Sequence, residues 1–278
     1  MEGDLGTSDV TLNLDPSLTL DGSADYLTAT SANFRSGDAQ GAITAWVKTS
    51  SSGANVIFAA SDTATTVHSL MVYLSSGYVY AEHLDSSVIY SIRTANTIHD
   101  GSWHHIAVVS TGTAIIIYID GVSETLTVAS GSNNGDWFSD MTASKLDNVT
   151  VGVLTRTSSA SYFNGEIADV RVYSDAITAT EVPLLASKIN VDASSMDNLQ
   201  HHWKLNSATI STSGVGDDTG TASAIDLTPT SIVAGSFNYD EYAINVQDTA
   251  TTDGAVTITT GKLECLALSS VDFDGAAE

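Results

Sequence analysis

The sequence predicts an all-β fold, an antiparallel jelly-roll β-sandwich, and three observations support it. Short apolar or alternating runs recur along the chain, separated by clusters of Gly, Ser, Asn and Asp that are typical of turns. No stretch shows an amphipathic helical period of useful length. Hydrophobic residues make up 42% of the 278 residues, which is enough for a sizeable core. Many short strands around one large core indicate two packed sheets.

The centre of this pattern is the stretch between residues 101 and 121. Two β-rich runs, 103–110 and 114–120, flank the turn-prone sequence Thr-Gly-Thr and predict a β-hairpin. The second run is almost continuously apolar and β-branched, which indicates a strand covered on both faces. Asp120 and Gly121 then form a turn signal before a third run at 123–129. Residues 103–129 are therefore predicted to form a three-stranded meander.

The remaining elements follow in order around this centre. Thr178 and Glu181 match a helix capping box, with Pro183 expected to limit the helix. The chain is expected to comprise an N-terminal arm or edge strand (1–15), the sandwich (16–238) and a small β-rich C-terminal appendage that serves as an assembly tail (239–278). Further predicted strands lie at 42–48, 56–60, 69–74, 78–83, 87–93, 149–153, 163–173, 200–205 and 225–227.

The charge of the chain limits its partners. The formal net charge is −24, from 33 acidic and 9 basic residues. This argues against binding nucleic acid or anionic membranes, since both need a cationic surface. Scarce Lys and Arg suit a protein that works in salty water, although an ordinary acidic extracellular surface explains them equally well. The single cysteine excludes an intrachain disulfide. The N-terminus has no apolar leader and no apolar window is long enough for a membrane span, so neither a signal peptide nor membrane insertion is expected.

Four segments resemble laminin-G-like, concanavalin A-like jelly-roll domains of secreted, surface and viral proteins. They read LTLDGSADYLTA (18–29), AITAWVKT (42–49), GSWHHIAVV with IYIDG (101–121) and YFNGEIADVRVYSDAITATEV (162–182). Their order is the usual one of the family, and the resemblance spans residues 15–235. It implies the sandwich fold and leaves the function open, because this fold carries lectins, adhesion modules, hydrolases and spacers.

The chain departs from the family pattern at its beginning. The segment QHHWKLN (200–206), followed by GDDTG (216–220), resembles a piece that usually precedes the first strand. The sandwich is thus either circularly permuted or followed by the start of a second one. Because residues after 240 cannot supply a second set of strands, permutation is favoured, with the strand of Trp203 completing the sheet.

No catalytic group is predicted. Glu166 and Asp169 are the nearest approach to a carboxylate pair, but their spacing places them on opposite faces of a strand, so structural or solvated roles are expected. The His pairs at 104–105 and 201–202 also point to opposite faces and do not form a ready metal chelate. The chain is therefore predicted not to be an enzyme.

Two kinds of binding site are expected. The resemblance implies a structural calcium ion held by Asp21 and Asp25 together with Asp217 or Asp218, although a turn aspartate often caps its own backbone instead. Glycan binding is assigned to aromatic side chains on loops, Trp137, Phe138 and Tyr162, because the face of a sugar ring stacks on an aromatic ring. The alternative for these rings is that they cover the edge of the sandwich.

Two functions compete on this evidence. The first is a non-enzymatic virion surface protein of a virus from a saline habitat, a capsid decoration, turret or fibre component. It would form homo-oligomers, contact other virion proteins and bind host-surface glycan or protein. The alternative is a secreted or cell-surface carbohydrate-binding or adhesion module.

Overall fold

The computed structural model describes residues 17–193, 196, 198–205, 210–211, 214–217, 224–233 and 236–238 of the sandwich, and the backbone of 252–259 and 262–271. The chain divides into two compact units, Pro16–Asn238 and a second unit made of the two chain ends. The described part of the second unit is one antiparallel hairpin, β21 (Thr252–Thr259) with β22 (Lys262–Val271). The predicted arm at residues 1–15 lies outside the described residues.

The first unit consists of two eight-stranded antiparallel sheets, which confirms the predicted jelly-roll sandwich. In the first sheet the strand order is β10-β9-β8-β3-β15-β1-β20, and β16 also pairs with β15. Its strands are β1 (Ser17–Asp21), β3 (Gly41–Lys48), β8 (Trp103–Ser110), β9 (Ile115–Ile119), β10 (Val122–Ser123), β15 (Asn164–Tyr173), β16 (Leu199–Trp203) and β20 (Phe237–Asn238).

The second sheet has the order β11-β7-β6-β5-β4-β12-β2-β19. Its strands are β2 (Tyr26–Thr30), β4 (Asn55–Ser61), β5 (His68–Ser75), β6 (Tyr78–Asp85), β7 (Val88–Thr97), β11 (Leu126–Ser130), β12 (Asn148–Val151) and β19 (Thr228–Thr230). Two short hairpins accompany the sheets: β13 (Leu154–Thr155) with β14 (Ser159–Ala160), and β17 (Ile210–Ser211) with β18 (Gly214–Val215).

One continuous core fills the space between the sheets. Period-two alternation places one face of each strand inside, for example Leu70, Val72 and Leu74 of β5, which are at most 3% exposed. A second apolar cluster lies on the outer side of the first sheet, under the segment that carries α1 (Val182–Leu185). Each buried aliphatic side chain contributes roughly 1.5–3 kcal/mol to folding.

The central hairpin forms as predicted, but its third strand does not. Asp120 and Gly121 both have positive φ, 50° and 82°, which is the geometry of a tight hairpin turn. The chain then leaves the first sheet: β10 pairs with β9, whereas β11 pairs with β7 of the second sheet. The predicted run at 123–129 is therefore two strands, because a local apolar pattern does not specify which sheet a strand joins.

The reciprocal bonds of the predicted capping box are present, but the helix that follows is a single turn that begins at Val182, so its N-cap is Glu181 and not Thr178. Glu181 accepts from the Thr178 amide at 2.6 Å, and the Thr178 hydroxyl accepts from the Glu181 amide at 3.3 Å. Pro183 lies within the first turn of α1 and does not end it. Its missing N–H costs nothing there, since the first helical amides have no intrahelical partner.

The strand of Trp203 completes the first sheet, as predicted. Residues 164–167 of β15 pair with β1, and residues 170–173 pair with β16. The Trp203 indole is fully buried and donates to the Ile225 carbonyl oxygen at 2.8 Å. The evolutionary origin of this arrangement by circular permutation stays a prediction.

A β-bulge separates these two halves of β15. Its pairing with β3 slips between Ala168 and Arg171, and Asp169 at the slip has φ 54°. The Asp169 carboxylate is 3% exposed and accepts hydrogen bonds from Arg171 Nε at 2.7 Å and His202 Nε2 at 2.7 Å. The backbone amide of Asn190 donates to it at 2.8 Å. Asp169 therefore anchors a buried charged network, as the predicted structural role requires.

Candidate functional site

The outer surface of β5, β6 and β7 carries a patch of aromatic and charged side chains, which is the candidate binding site. Tyr73 and Tyr80 face each other across two strands and stack with their ring centroids 4.8 Å apart. The Arg93 guanidinium lies 4.3 Å above the ring centre of Tyr78. The Tyr73 hydroxyl donates to the Glu82 carboxylate at 3.1 Å. These five half-buried residues are called the tyrosine face below.

The alternation of the strands explains how this patch forms. Tyr73 lies between the core residues Val72 and Leu74, and Tyr80 lies between Val79 and Ala81. Because neighbouring side chains of a strand point to opposite faces, the tyrosines point away from the core. To the same outer surface β5 therefore contributes one of the five side chains, β6 contributes three and β7 contributes one.

A short wall borders the tyrosine face. Leu154 of the β13–β14 hairpin is 4% exposed and packs on Val56 and Ala59 of β4, beside Tyr73. The hairpin is tied to β4 by the bond from the Val56 amide to the Ser161 carbonyl oxygen at 3.0 Å. The hairpin therefore borders the tyrosine face on the side of Tyr73.

The polar groups of the tyrosine face are set for hydrogen bonding. Burial, and then the neighbouring Glu82 carboxylate, raise the pKa of Tyr73 well above its usual value. The phenol therefore stays neutral and donates to Glu82 over the whole physiological range. Arg93 adds a fixed positive charge. An aromatic floor with a few planar polar groups can bind a ligand that has both apolar C–H faces and hydroxyl groups.

Two of the three loop aromatics predicted to bind glycan lie in the core and not on the surface. Trp137 and Phe138 are each 1% exposed and belong to the core, so their rings are not available for stacking on a ligand. They pack against each other with centroids 5.2 Å apart, and Phe138 also contacts Phe34. The assignment of these two residues is wrong, because burying rings of this size outweighs the polar character of the loop around them.

Tyr162, the third predicted residue, is half-buried and forms a second aromatic pair. Its ring lies 6.1 Å from that of Tyr26, which projects from β2 on the outer surface of the second sheet. Strand β2 is three strand spacings from β5, or about 14 Å. The role of Tyr162 in glycan binding stays a prediction.

The carboxylates predicted to hold calcium are occupied by hydrogen bonds. Asp21 accepts from the amides of Ser23, Ala24 and Asp25 at 2.8, 2.8 and 3.1 Å and from the Ser23 hydroxyl at 2.6 Å. These bonds, led by that of the Ser23 hydroxyl, lower the pKa of Asp21. Burial, followed by the charge of Asp21, raises the pKa of Asp25. Asp21 thus caps its own turn.

The other half of the predicted calcium site is also engaged. Asp217 accepts from His201 Nδ1 at 2.6 Å and from the His202 amide at 3.0 Å, and Asp218 lies outside the described residues. Within the described ranges, no three His, Cys, Asp or Glu side chains are grouped closely enough to hold a metal ion. Calcium binding stays a prediction without support from these residues.

A melting experiment tests the calcium prediction. If calcium binds the folded chain, 1 mM CaCl₂ should raise Tm and excess EDTA should reverse the rise, because a ligand of the native state stabilises it by mass action. An Asp25→Asn variant should lose the response. An unchanged midpoint on addition of calcium and of chelator would contradict the prediction.

The histidine pairs fit the predicted alternation. The His104 side chain is 17% exposed and lies between Asp120 and Asp100, at 2.7 and 3.2 Å. His105 is buried against Trp46. At the second pair both rings are buried, because His201 packs into the core on Trp203 while His202 joins the Asp169 network on the other side of the sheet.

The sequence match with known families decides the classification. A family model described as the concanavalin A-like lectin/glucanases superfamily, of laminin-G type, matches residues 21–183. The chain belongs to this superfamily. The matched region includes every residue of the tyrosine face. No curated protein sequence matches the chain.

Several solved structures resemble the sandwich. A candidate carbohydrate-binding protein from Bacteroides ovatus ATCC 8483 is 17% identical and has a TM-score of 0.57, covering 83% of this chain and 62% of its own. The CBM40 of the Ruminococcus gnavus IT-sialidase, bound to α2,3-sialyllactose, is 18% identical and has a TM-score of 0.47, covering 53% and 82%. Domain 4 of the Geobacillus stearothermophilus arabinanase AbnA, in complex with arabinotriose, is 21% identical and has a TM-score of 0.44, covering 61% and 76%. The first of these three structures, with its TM-score of 0.57, shows a shared fold.

Sequence reasoning missed the tyrosine face, although a signal for it was present. Tyr73, Tyr78 and Tyr80 stand at the polar positions of strands that otherwise alternate with Val, Leu and Ala. Large aromatics at positions expected to face solvent indicate a binding surface more directly than aromatics in a loop do.

No helix in the described part of the chain is long and apolar enough to span a membrane.

Proposed function

We propose that the chain is a non-enzymatic carbohydrate-binding or adhesion module that acts outside the cell and binds a glycan on the tyrosine face. The stacked pair of Tyr73 and Tyr80, with Glu82 and Arg93 beside it, carries this proposal. One face of a sugar ring presents C–H groups that pack on aromatic rings, and its rim presents hydroxyls that bond to carboxylate and guanidinium groups. The fold supports the proposal, because related structures include carbohydrate-binding modules.

The proposal is tested by replacing Tyr80, one ring of the stacked pair. A glycan array with the wild-type chain identifies the best ligand, and calorimetric titration then compares Tyr80→Ala with Tyr80→Phe. Removing the ring should weaken binding about tenfold, since an aromatic stacking contact contributes roughly 0.5–1.5 kcal/mol beyond the area it buries. Tyr80→Phe keeps the stacking surface and should bind within about threefold of the wild type.

Two results would count against this site. Equal affinity of Tyr80→Ala and the wild type would remove the tyrosine face as the binding surface, and a large loss in Tyr162→Ala would move the site to the second tyrosine pair. The absence of any array ligand would remove the proposed function itself.

The virion interpretation stays a separate prediction. It requires homo-oligomers and contacts with other virion proteins, and neither the family match nor the similar structures described above point to a virus particle. Sedimentation velocity measures the oligomer directly. A monomer at all concentrations would contradict it.

A further inference from the structure

Among the strands that end the two sheets, β11 has the longest free edge. The first sheet ends at β10 and β20, which have two residues each. The second ends at β19, which has three residues including Pro229, and at β11, which has five. In the described part of the chain no strand pairs with the other side of β11. Proteins usually protect such an edge with lysine, proline or an inward-pointing charge, and the sequence LTVAS has none of these.

The backbone of β11 directs hydrogen-bonding groups to this free side. The Ala95 amide of β7 donates to the Thr125 carbonyl oxygen at 2.9 Å. Directly bonded pairs alternate along antiparallel strands, so Thr127 also directs its backbone groups to β7. Leu126 and Val128 stand at the alternate positions and direct their N–H and C=O groups away from the sheet. The complement of such a row is the backbone of another strand.

Apolar side chains lie beside the same edge. Val128 is opposite Ile92, a core residue of β7, so its side chain points to the inside of the sandwich, yet it is 50% exposed. Val122 of β10 is opposite the core residue Ile119 and is 66% exposed. Residues 124–125 alone connect β10 with β11, so both valines lie on one side of the sandwich. The core is therefore open at this side.

We propose that β11 pairs with β11 of a second copy of the chain, antiparallel and across a two-fold axis at Thr127. The strand is self-complementary in this register. The outward groups of Leu126 meet those of the partner's Val128, and the two-fold axis repeats this pair, which gives four backbone hydrogen bonds. The Leu–Val pairs are apolar and lie on the core-facing side, next to the exposed valines.

The outer side of the same pairing is also favourable. Thr127 faces the partner's Thr127 directly, and threonine pairs of this kind stabilise a sheet. Glu124, the nearest acidic residue of the chain segment, falls opposite the partner's Ser130, so no like charges face each other. Charge repulsion between two chains of net charge −24 is therefore not concentrated at this edge.

The dimer joins the second sheets of the two copies into one sheet. Thr127 is opposite Arg93, so the tyrosine faces of both copies lie on the same outer surface. Tyr80 of one copy is then five strand spacings, about 24 Å, from the partner's Tyr80. Two sites at a fixed spacing bind a surface that carries many glycans more tightly than one site does. This consequence rests on the proposed function, whereas the dimer itself does not.

Sedimentation velocity between about 5 and 500 μM chain measures the dimer. We expect the wild-type chain to dimerise reversibly and Thr127→Lys to raise the dimer dissociation constant by about tenfold or more, because two lysines then face each other across the axis. Val67→Lys places the same charge at an exposed valine ahead of β5 and should dimerise like the wild type. Both positions are exposed, so at the lowest concentration each variant should keep the wild-type Tm within about 2 °C.

A disulfide tests the register. In a Cys265→Ser background, Thr127→Cys places two cysteines opposite each other at a non-hydrogen-bonded pair, where the Cα atoms are about 4.5 Å apart. This distance suits a disulfide, so oxidised glutathione should convert Thr127→Cys into a covalent dimer. Val67→Cys in the same background should stay largely monomeric on a non-reducing gel.

Three results would overturn the proposal. They are a wild-type chain that is monomeric over the whole concentration range, a dimer that is equally strong in Thr127→Lys, and equal cross-linking of Thr127→Cys and Val67→Cys. Tyr80→Ala should dimerise like the wild type. Its loss of glycan binding bears on the proposed function and leaves the dimer unaffected.

Discussion

Replacing Asp169 with Asn is expected to destabilise the sandwich by about 3 kcal/mol or more. The carboxylate compensates the buried Arg171 guanidinium, which it contacts with both oxygens, and it also accepts from His202 and from the Asn190 amide. Removing one partner of a buried ion pair leaves the other charge uncompensated, at a cost of roughly 3–5 kcal/mol. Asn is the matched substitution, because it tolerates the positive φ of the bulge and changes little besides the charge.

Urea denaturation of the variant measures this loss. The double variant Asp169→Asn/Arg171→Met should recover part of it, because the unpaired guanidinium is no longer buried. Asp100→Asn, at an exposed carboxylate, serves as the control and should show no resolvable change. A loss below about 1 kcal/mol in Asp169→Asn would show that the network does not hold the bulge.

The second large effect is a loss of stability on mild acidification. Burial lowers the pKa of His105 to about 4, whereas an unfolded histidine has a pKa near 6.5. Between these values the unfolded chain takes up a proton that the folded chain does not. The stabilisation is therefore complete above about pH 6.5 and falls as the pH approaches 4. The gap between the two pKa values corresponds to about 3 kcal/mol.

Denaturant titrations at pH 7, 6, 5 and 4 test this dependence. In His105→Phe, most of the loss of unfolding free energy between pH 7 and pH 4 should disappear. The phenylalanine ring keeps the contact with Trp46 and does not titrate. His99→Gln, which removes a half-buried histidine elsewhere in the chain, is the matched control for the loss of one histidine. His83 contributes in the same direction, since burial lowers its pKa too. An identical pH profile for His105→Phe and the wild type would rule out His105 as the cause.

The strands of the sandwich are largely predictable from the sequence. A half-buried strand imposes period two, so alternating runs such as those of β3, β5 and β8 appear in the sequence and in the structure at nearly the same positions. The partner sheet of a strand depends on contacts that are distant in sequence. For this reason the run 123–129 was predicted as one strand and is divided between the two sheets.

The candidate sites were less predictable, for reasons that differ from residue to residue. Trp137 lies in a polar loop, and only the folded chain shows that the loop closes over the core. The bulge at Asp169 places a non-glycine residue at positive φ, and no local sequence pattern predicts this conformation. The tyrosine face instead carries a readable signal, aromatic side chains at solvent positions of neighbouring strands. Its significance depends on which strands pair, and that is a property of the sheet.

The most direct test of the central claim is an NMR titration of the chain with labelled tyrosine rings, using the glycan that binds best on the array. The account predicts that the ring signals of Tyr73 and Tyr80 shift and saturate at the affinity measured by calorimetry. The signal of Tyr118, which is buried in the first sheet, should stay unchanged. Saturable binding that leaves the signals of Tyr73 and Tyr80 in place would contradict the assignment of the tyrosine face as the glycan-binding surface.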